Sequence, residues 1–233
     1  MLLGTWDFLS ADVLPKLMQG LWVSVALIVP SALLGAVFGI ITGVARVYGP
    51  RWVRRTADGY VGLFRGTPLV VQLYFWYFAL PYLSVGDFRI VLSPMAASIL
   101  GFALCSAAYQ SEYIRGGLLS IKQGQLKAAA ALGMGPLQTV LNVVLPQAVR
   151  RALPGCGNEV IYLIKYSSLA SIITVGELTG VGRAVAKATW RNIEVFAAVG
   201  AYYLVLVTLA TLLLRVIERR LTIPGFEQNR HQG

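Results

Sequence analysis

Five long apolar runs dominate the chain, at residues 18–45, 60–83, 92–119, 152–175 and 193–217. A helix needs about 20 apolar residues, at about 1.5 Å of rise each, to cross the hydrocarbon of a bilayer. Each run is long enough. Hydrocarbon offers no partner to a backbone N–H or C=O, so segments of this kind must be helical. The charged fraction of 13% is about half that of an ordinary soluble domain. The expected fold is therefore an all-α membrane protein of about five transmembrane helices, a single domain over residues 1–233. Two runs carry interruptions, "FRGTP" in the second and "LPGCGNE" in the fourth. Both are expected to loosen or break the helix, which is tolerated only where the backbone faces protein or a cavity.

The net charge of +10 fits basic residues gathered on cytoplasmic loops better than a nucleic-acid surface. With the N-terminus outside, Arg46, Arg51, Arg54, Arg55, Arg115, Lys122, Lys127, Arg150, Arg151, Arg215, Arg219, Arg220 and Arg230 are cytoplasmic. Only Lys16, Arg89, Arg183, Lys187 and Arg191 are then outside. The imbalance predicts an N-out, C-in topology. The first residues, "MLLGTWDFLSADVLPK", have no basic start and no small-residue cleavage site, so no signal peptide is expected. Cys105 and Cys156 lack metal-ligand spacing and the sole histidine, His231, sits in a polar tail, so no metal site is expected. Trp6, Trp22, Trp52, Trp76 and Trp190 suit interfacial anchoring.

Residues 122–148 are too short and interrupted to span, yet too rich in alanine and leucine for a loop. Gln125 to Leu132 are strong helix formers. Gly133 suits a left-handed helix end, and Pro136 suits the first turn of a second short helix. Leu137, Val140, Leu141 and Val144 would share one face of it. Lys127 is the only charge from residue 123 to 148, whereas helices that lie on membranes usually carry many. A small-residue helix of this kind suits docking into a groove of another protein.

"GQLKAAAALG" followed by "VVLPQA" resembles the cytoplasmic signature loop of permease subunits of ATP-binding cassette importers. Ala128, Ala129, Gly133, Leu145 and Pro146 match that signature, while Lys127 stands where a glutamate is usual. "FRGTPLVVQL", "YQSEYIRGGLLSI" and "NEVIYLIKYSSLASII" further resemble the branch that imports polar amino acids of the histidine, arginine, glutamate, glutamine and opine types. The resemblance covers about residues 18 to 220. It implies a permease in the bacterial inner membrane, paired with a second copy or a sister permease. It also implies cytoplasmic ATPase subunits, which would carry ATP and Mg, and an extracytoplasmic amino-acid-binding protein. The coupling element would comprise Lys127, Ala128, Ala129, Leu132, Gly133, Met134, Gly135 and Pro146. No G-x-x-x-x-G-K-[ST] run is present, so neither catalysis nor a cofactor is expected in this chain.

An ionisable residue at mid-bilayer costs about 3 kcal/mol and is a functional candidate by default. Glu159 lies about 12 Å into the fourth run, with Tyr162 and Tyr166 at i+3 and i+7 on its face. A carboxylate and two phenols would hold an ammonium group; the alternative is a Glu159 paired with another helix. Lys165 shares a face with Asn158 and either meets a substrate carboxylate or pairs with an acid elsewhere. Thr67 and Gln72 are candidate pore-lining hydrogen-bonding groups beside the Gly66–Pro68 interruption. Glu112 and Arg115, at i and i+3, should pair with each other. Glu177 is either a contact for the binding protein or a solvated loop acid. Two other readings stand beside the importer of amino acids: a self-sufficient channel or ion-coupled carrier, and an importer permease for a different solute.

Overall fold

The structure, a computed structural model, describes residues 7–83 and 89–221. Trp6, Arg230 and His231 lie outside these, as do the ends of the 1–233 domain. The described residues form eight helices and no strand. They are α1 (Leu9–Tyr48), α2 (Arg51–Gly66), α3 (Leu69–Tyr82), α4 (Pro94–Leu119), α5 (Gln123–Ala131), α6 (Pro136–Ile173), α7 (Leu178–Thr189) and α8 (Asn192–Leu221).

Small residues bring α1 and α4 together. Gly35, Gly39 and Gly43 recur every four residues on α1 and meet Ser106, Gln110 and Ile114, also four apart, on α4. A Cβ at Gly39 would lie 2.8 Å from the Gln110 Cβ, and one at Gly43 2.7 Å from the Ile114 Cγ2. The close approach maximises dispersion contact, which must drive helix association where lipid removes the hydrophobic effect. Gly117 of α4 continues the pattern against the backbone of Ala148 on α6. Around this seam lie three apolar clusters. One centres on Leu27, Leu73, Phe102, Leu163 and Ile173, a second on Leu17, Leu178, Val195 and Val199, and a third on Ile114, Leu118, Val144 and Ala148.

Proline placement explains the irregular turns. Wider π turns occupy Leu9–Val13, Phe75–Ala79 and Val140–Val144. Each is followed at once by a Leu-Pro pair: Pro15, Pro81 and Pro146. In each case the leucine N–H reaches back five residues, to Leu9, Phe75 and Val140. A proline removes a donor and its ring pushes on the carbonyl four residues before, so opening the turn relieves the clash without ending the helix. Pro154, in the fourth Leu-Pro pair, sits inside regular helix.

Several boundaries differ from expectation. The run at 60–83 is not one helix: Thr67 and Pro68 are extended, so α2 ends and α3 begins anew. "FRGTP" thus breaks the chain as expected, but "LPGCGNE" does not. Residues 153–159 run through α6, their glycines taken up by close packing, with Gly155 against Tyr113 and Gly157 against Leu214. Nor is there a separate second short helix at 136, because α6 starts there and continues to Ile173. The expected span 152–175 is the distal part of this longer helix. α7, inside the expected outer loop, carries its buried residues at a helical spacing (Leu178, Gly182, Val185 and Ala186) that was overlooked. By length and hydropathy α1 and α8 each suffice to cross a membrane, and α6 with α7, bent by 52°, forms a third candidate.

Candidate functional site

α6 carries two unlike faces. Glu159 is 4% exposed and turned toward α4, where the Ser106 hydroxyl hydrogen-bonds its carboxyl. Gln110 Nε2 in turn donates to Ser106 Oγ at 3.0 Å. The buried acid is thereby the end of a short polar chain that the small face of α1 makes room for. Asn158, Tyr162, Lys165 and Tyr166 are exposed along the flank beside it. The Tyr162 and Tyr166 rings stack at 5.9 Å between centroids. Lys165 Nζ lies 4.4 Å from the Tyr162 ring centroid, within the range of a cation–π contact. Tyr162 and Tyr166 share Glu159's side of the helix, at i+3 and i+7, but are exposed where Glu159 is buried, and among the described residues no hydrogen bond joins either phenol to its carboxyl. Among the described residues, Lys165 has no acid within salt-bridge reach.

The exposed face of α8 gives the contrast. It presents Leu204, Val205, Leu209, Leu212, Leu213 and Val216, the side chains that hydrocarbon favours. An amide, an ammonium and two phenols on α6 are what a watery or protein-lined surface favours.

Thr67 and Gln72 hold the break between α2 and α3. Gln72 Nε2 donates to the Phe64 carbonyl at 2.9 Å, the Thr67 carbonyl at 3.1 Å and Thr67 Oγ1 at 2.9 Å. Thr67 Oγ1 donates to the Leu63 carbonyl at 2.8 Å. The carbonyls left over where α2 ends are satisfied by these side chains, so both residues brace the interruption.

Glu112 does pair with Arg115, at 2.9 Å. It also takes Arg65 at 2.8 Å and Arg46 at 3.2 Å, and Arg46 reaches Asp58 at 2.7 Å. One carboxylate thus ties α1, α2 and α4. Arg65 lies over the Tyr109 ring at 5.2 Å as well. The sequence showed the Glu112–Arg115 pair by its spacing, but not the arrival of Arg46 and Arg65 from other helices.

Glu177 is fully buried and caps α7, which overturns both expectations for it. Its carboxylate accepts from Thr179 N–H at 2.9 Å, Gly180 N–H at 2.7 Å and the Tyr203 hydroxyl at 3.0 Å. An acid immediately before a helical pattern was the available signal.

At the other end of α6 lies the loop. Gly133 has φ +76°. Its N–H bonds the Ala130 carbonyl at 3.0 Å, and the Met134 N–H bonds that of Ala129 at 3.1 Å. This pair of bonds is a Schellman end to α5. Gln138 then caps the start of α6 by accepting from Gly135 N–H at 3.2 Å. Ala129 is buried, while Lys127, Ala128, Leu132 and Pro146 are exposed and Met134 and Gly135 half-buried. Leu132, Leu137 and Leu141 are exposed too, an apolar patch at the turn from α5 into the start of α6.

Residues 35–223 match the family described as binding-protein-dependent transport system inner membrane component. The glutamine transport system permease protein of Escherichia coli (strain K12) is 38% identical over 214 residues, covering 90% of this chain and 94% of that one. The octopine transport system permease protein of Rhizobium radiobacter is 38% identical over 208 residues, 87% and 84% of the two. A solved structure, the crystal structure of an amino acid ABC transporter with histidines, superposes with a TM-score of 0.81 at 30% identity. It covers 92% of this chain and 98% of the other. The chain belongs to the binding-protein-dependent transport system inner membrane components, the permease subunits of ATP-binding cassette importers.

Proposed function

We propose that the chain is the membrane subunit of an importer for a polar amino acid. It would form the translocation path with a second copy or a sister permease, receive substrate from an extracytoplasmic binding protein, and be driven by cytoplasmic ATPase subunits. Five segments would cross the membrane, N-out and C-in, within one domain. The observation that carries this reading is α6 itself. One helix joins the exposed apolar loop at Leu137 and Leu141 to the polar face at Asn158, Tyr162, Lys165 and Tyr166. Lys165, with no acid within salt-bridge reach among the described residues, suits a substrate carboxylate, and Asn158 and the two tyrosines supply further hydrogen-bonding groups. Glu159 would tune the path from behind through Ser106. α5 and the start of α6 would seat in the ATPase, with Ala128 permitting close approach and Lys127 meeting an acid of that partner. The relatives named for glutamine and octopine, and the solved amino acid transporter, support a substrate bearing a carboxylate.

The test is ATP hydrolysis by the complex in liposomes, with the ATPase and binding protein encoded beside this chain, across a panel of twenty amino acids. Stimulation by one chemical group of amino acids is expected, and its loss in Lys165→Met with assembly intact. Hydrolysis indifferent to every amino acid would overturn the substrate class.

A further inference from the structure

Lys165 has a counterpart nearer the α5 end of the bundle. Arg65, next to the last residue of α2, lies over the Tyr109 ring of α4 at 5.2 Å. Lys165 lies over the Tyr162 ring of α6 at 4.4 Å in the same manner, each cation bedded on a phenol face. The two beds adjoin. Tyr166 is within electrostatic reach of Tyr109 and Tyr162, and Tyr113 is within reach of Tyr162 and Arg65. Tyr109 and Tyr113 are half-buried and Tyr162 and Tyr166 exposed, so a wall of phenols runs from one cation to the other.

The packing of α4 on α6 gives the direction of that wall. Gly117 meets Ala148 and Gly155 meets Tyr113, so the two helices are antiparallel and the ends they share adjoin α5. Arg65 reaches the level of Glu112, one residue from Tyr113. Lys165 lies about 15 Å beyond Gly155 along α6, away from α5.

Arg65 is also only half used. Its Nη1 meets Glu112 Oε1 at 2.8 Å, and its side chain is 40% exposed. Among the described residues no other nitrogen of this guanidinium has a hydrogen-bonding partner. A guanidinium carries five N–H donors in a planar fork, and its Nε–Nη2 edge fits a carboxylate through two parallel bonds. Glu112 does not fill that edge, because it also takes Arg46 at 3.2 Å and Arg115 at 2.9 Å. With Asp58 on Arg46, three guanidiniums share two carboxylates and one positive charge is left over. A latch that served only to hold helices together would need no surplus.

We infer that Arg65 is a second station for the α-carboxylate of the transported amino acid, on the α5 side of Lys165. The amino acid is held first at Lys165 and then at Arg65, and the phenols between supply donors and acceptors for its polar groups. The inference rests on the polar amino acid reading above and adds a subsite to it.

The experiment uses the permease complex in nanodiscs without ATP or binding protein. Reaction of Arg65 with p-hydroxyphenylglyoxal, which attacks accessible guanidiniums, is followed by mass spectrometry, with Arg115 as the internal reference. Millimolar L-glutamine should slow modification of Arg65 several-fold and leave Arg115 unchanged, whereas L-glutaminamide, which lacks the carboxylate, should protect neither. Glu112→Gln, which frees the whole fork, should keep the protection, as should Lys165→Met. Equal protection by the amide, equal protection of Arg115, or no protection at all would each overturn the inference, as would its loss in either variant. Failure here is separate from failure of the transport assignment, which is read by hydrolysis.

Discussion

At the level of single residues, the chain relies on a few positions where one atom or one dihedral decides the outcome. Gly133 is one. Nothing lies within 4 Å of a Cβ built there, but φ is +76°. A substitution therefore meets strain and no clash. Gly133→Val should add about 1–2 kcal/mol of backbone strain, unwind the end of α5 and uncouple hydrolysis from uptake. Gly133→Asn, which tolerates the left-handed region, should restore coupling. Uptake per ATP, measured in liposomes, separates the two. Glu112 is another such position. Glu112→Gln leaves three guanidiniums without their shared acid. The expected loss is about 2 kcal/mol, less than for a fully buried pair because the Glu112 side chain is 23% exposed. Asp58→Asn, at 51% exposure and paired with Arg46, should cost no more than about 0.5 kcal/mol. Thermal unfolding of the detergent-solubilised chain gives the ranking.

Among elements, association follows the small residues. Gly39→Leu would force α1 away from Gln110 and should destabilise by about 3 kcal/mol, seen as a lower unfolding midpoint. Gly62→Leu on α2, with nothing within 4 Å, should leave the midpoint unchanged. The same scale shows what the sequence made legible. Helix ends governed by local chemistry could be read: the break at Thr67–Pro68, the left-handed end at Gly133, the start at Pro136. Missed features depend on partners distant in the chain. Gly155 and Gly157 look like helix breakers until Tyr113 and Leu214 close over them. Glu177 reads as a loop acid until Tyr203, on another helix, reaches it. The exposed stripe of α6 was half legible: its spacing put Asn158 with Lys165, but which side faces inward is set by α4.

For the whole molecule, the proposed topology predicts which residues a membrane-impermeant thiol reagent reaches in sealed inside-out vesicles. On a background with Cys105 and Cys156 replaced by alanine, a cysteine at Gln123 should label there, and one at Ile193 should label only in right-side-out preparations. The reverse pattern would invert the topology. Family, helical class and membrane character were all legible in the sequence, because apolar length and a docking loop are local patterns. The relation between loop and polar face was not, since it depends on α6 being unbroken. That continuity has a consequence of phase. In an unbroken helix, depth and azimuth advance together, so the direction in which Lys165 points is locked to the direction in which Leu137 points. Each residue between them counts for about 100°. The π turn at Val140–Val144 takes up one residue more than an α turn would with little change of phase. Deleting one residue there would straighten the turn and leave the polar face nearly in place, whereas deleting one from the regular helix beyond it would swing that face through more than a quarter circle, toward the neighbours that now cover Glu159. Family members should thus tolerate changes of side chain along this stretch far better than changes of length.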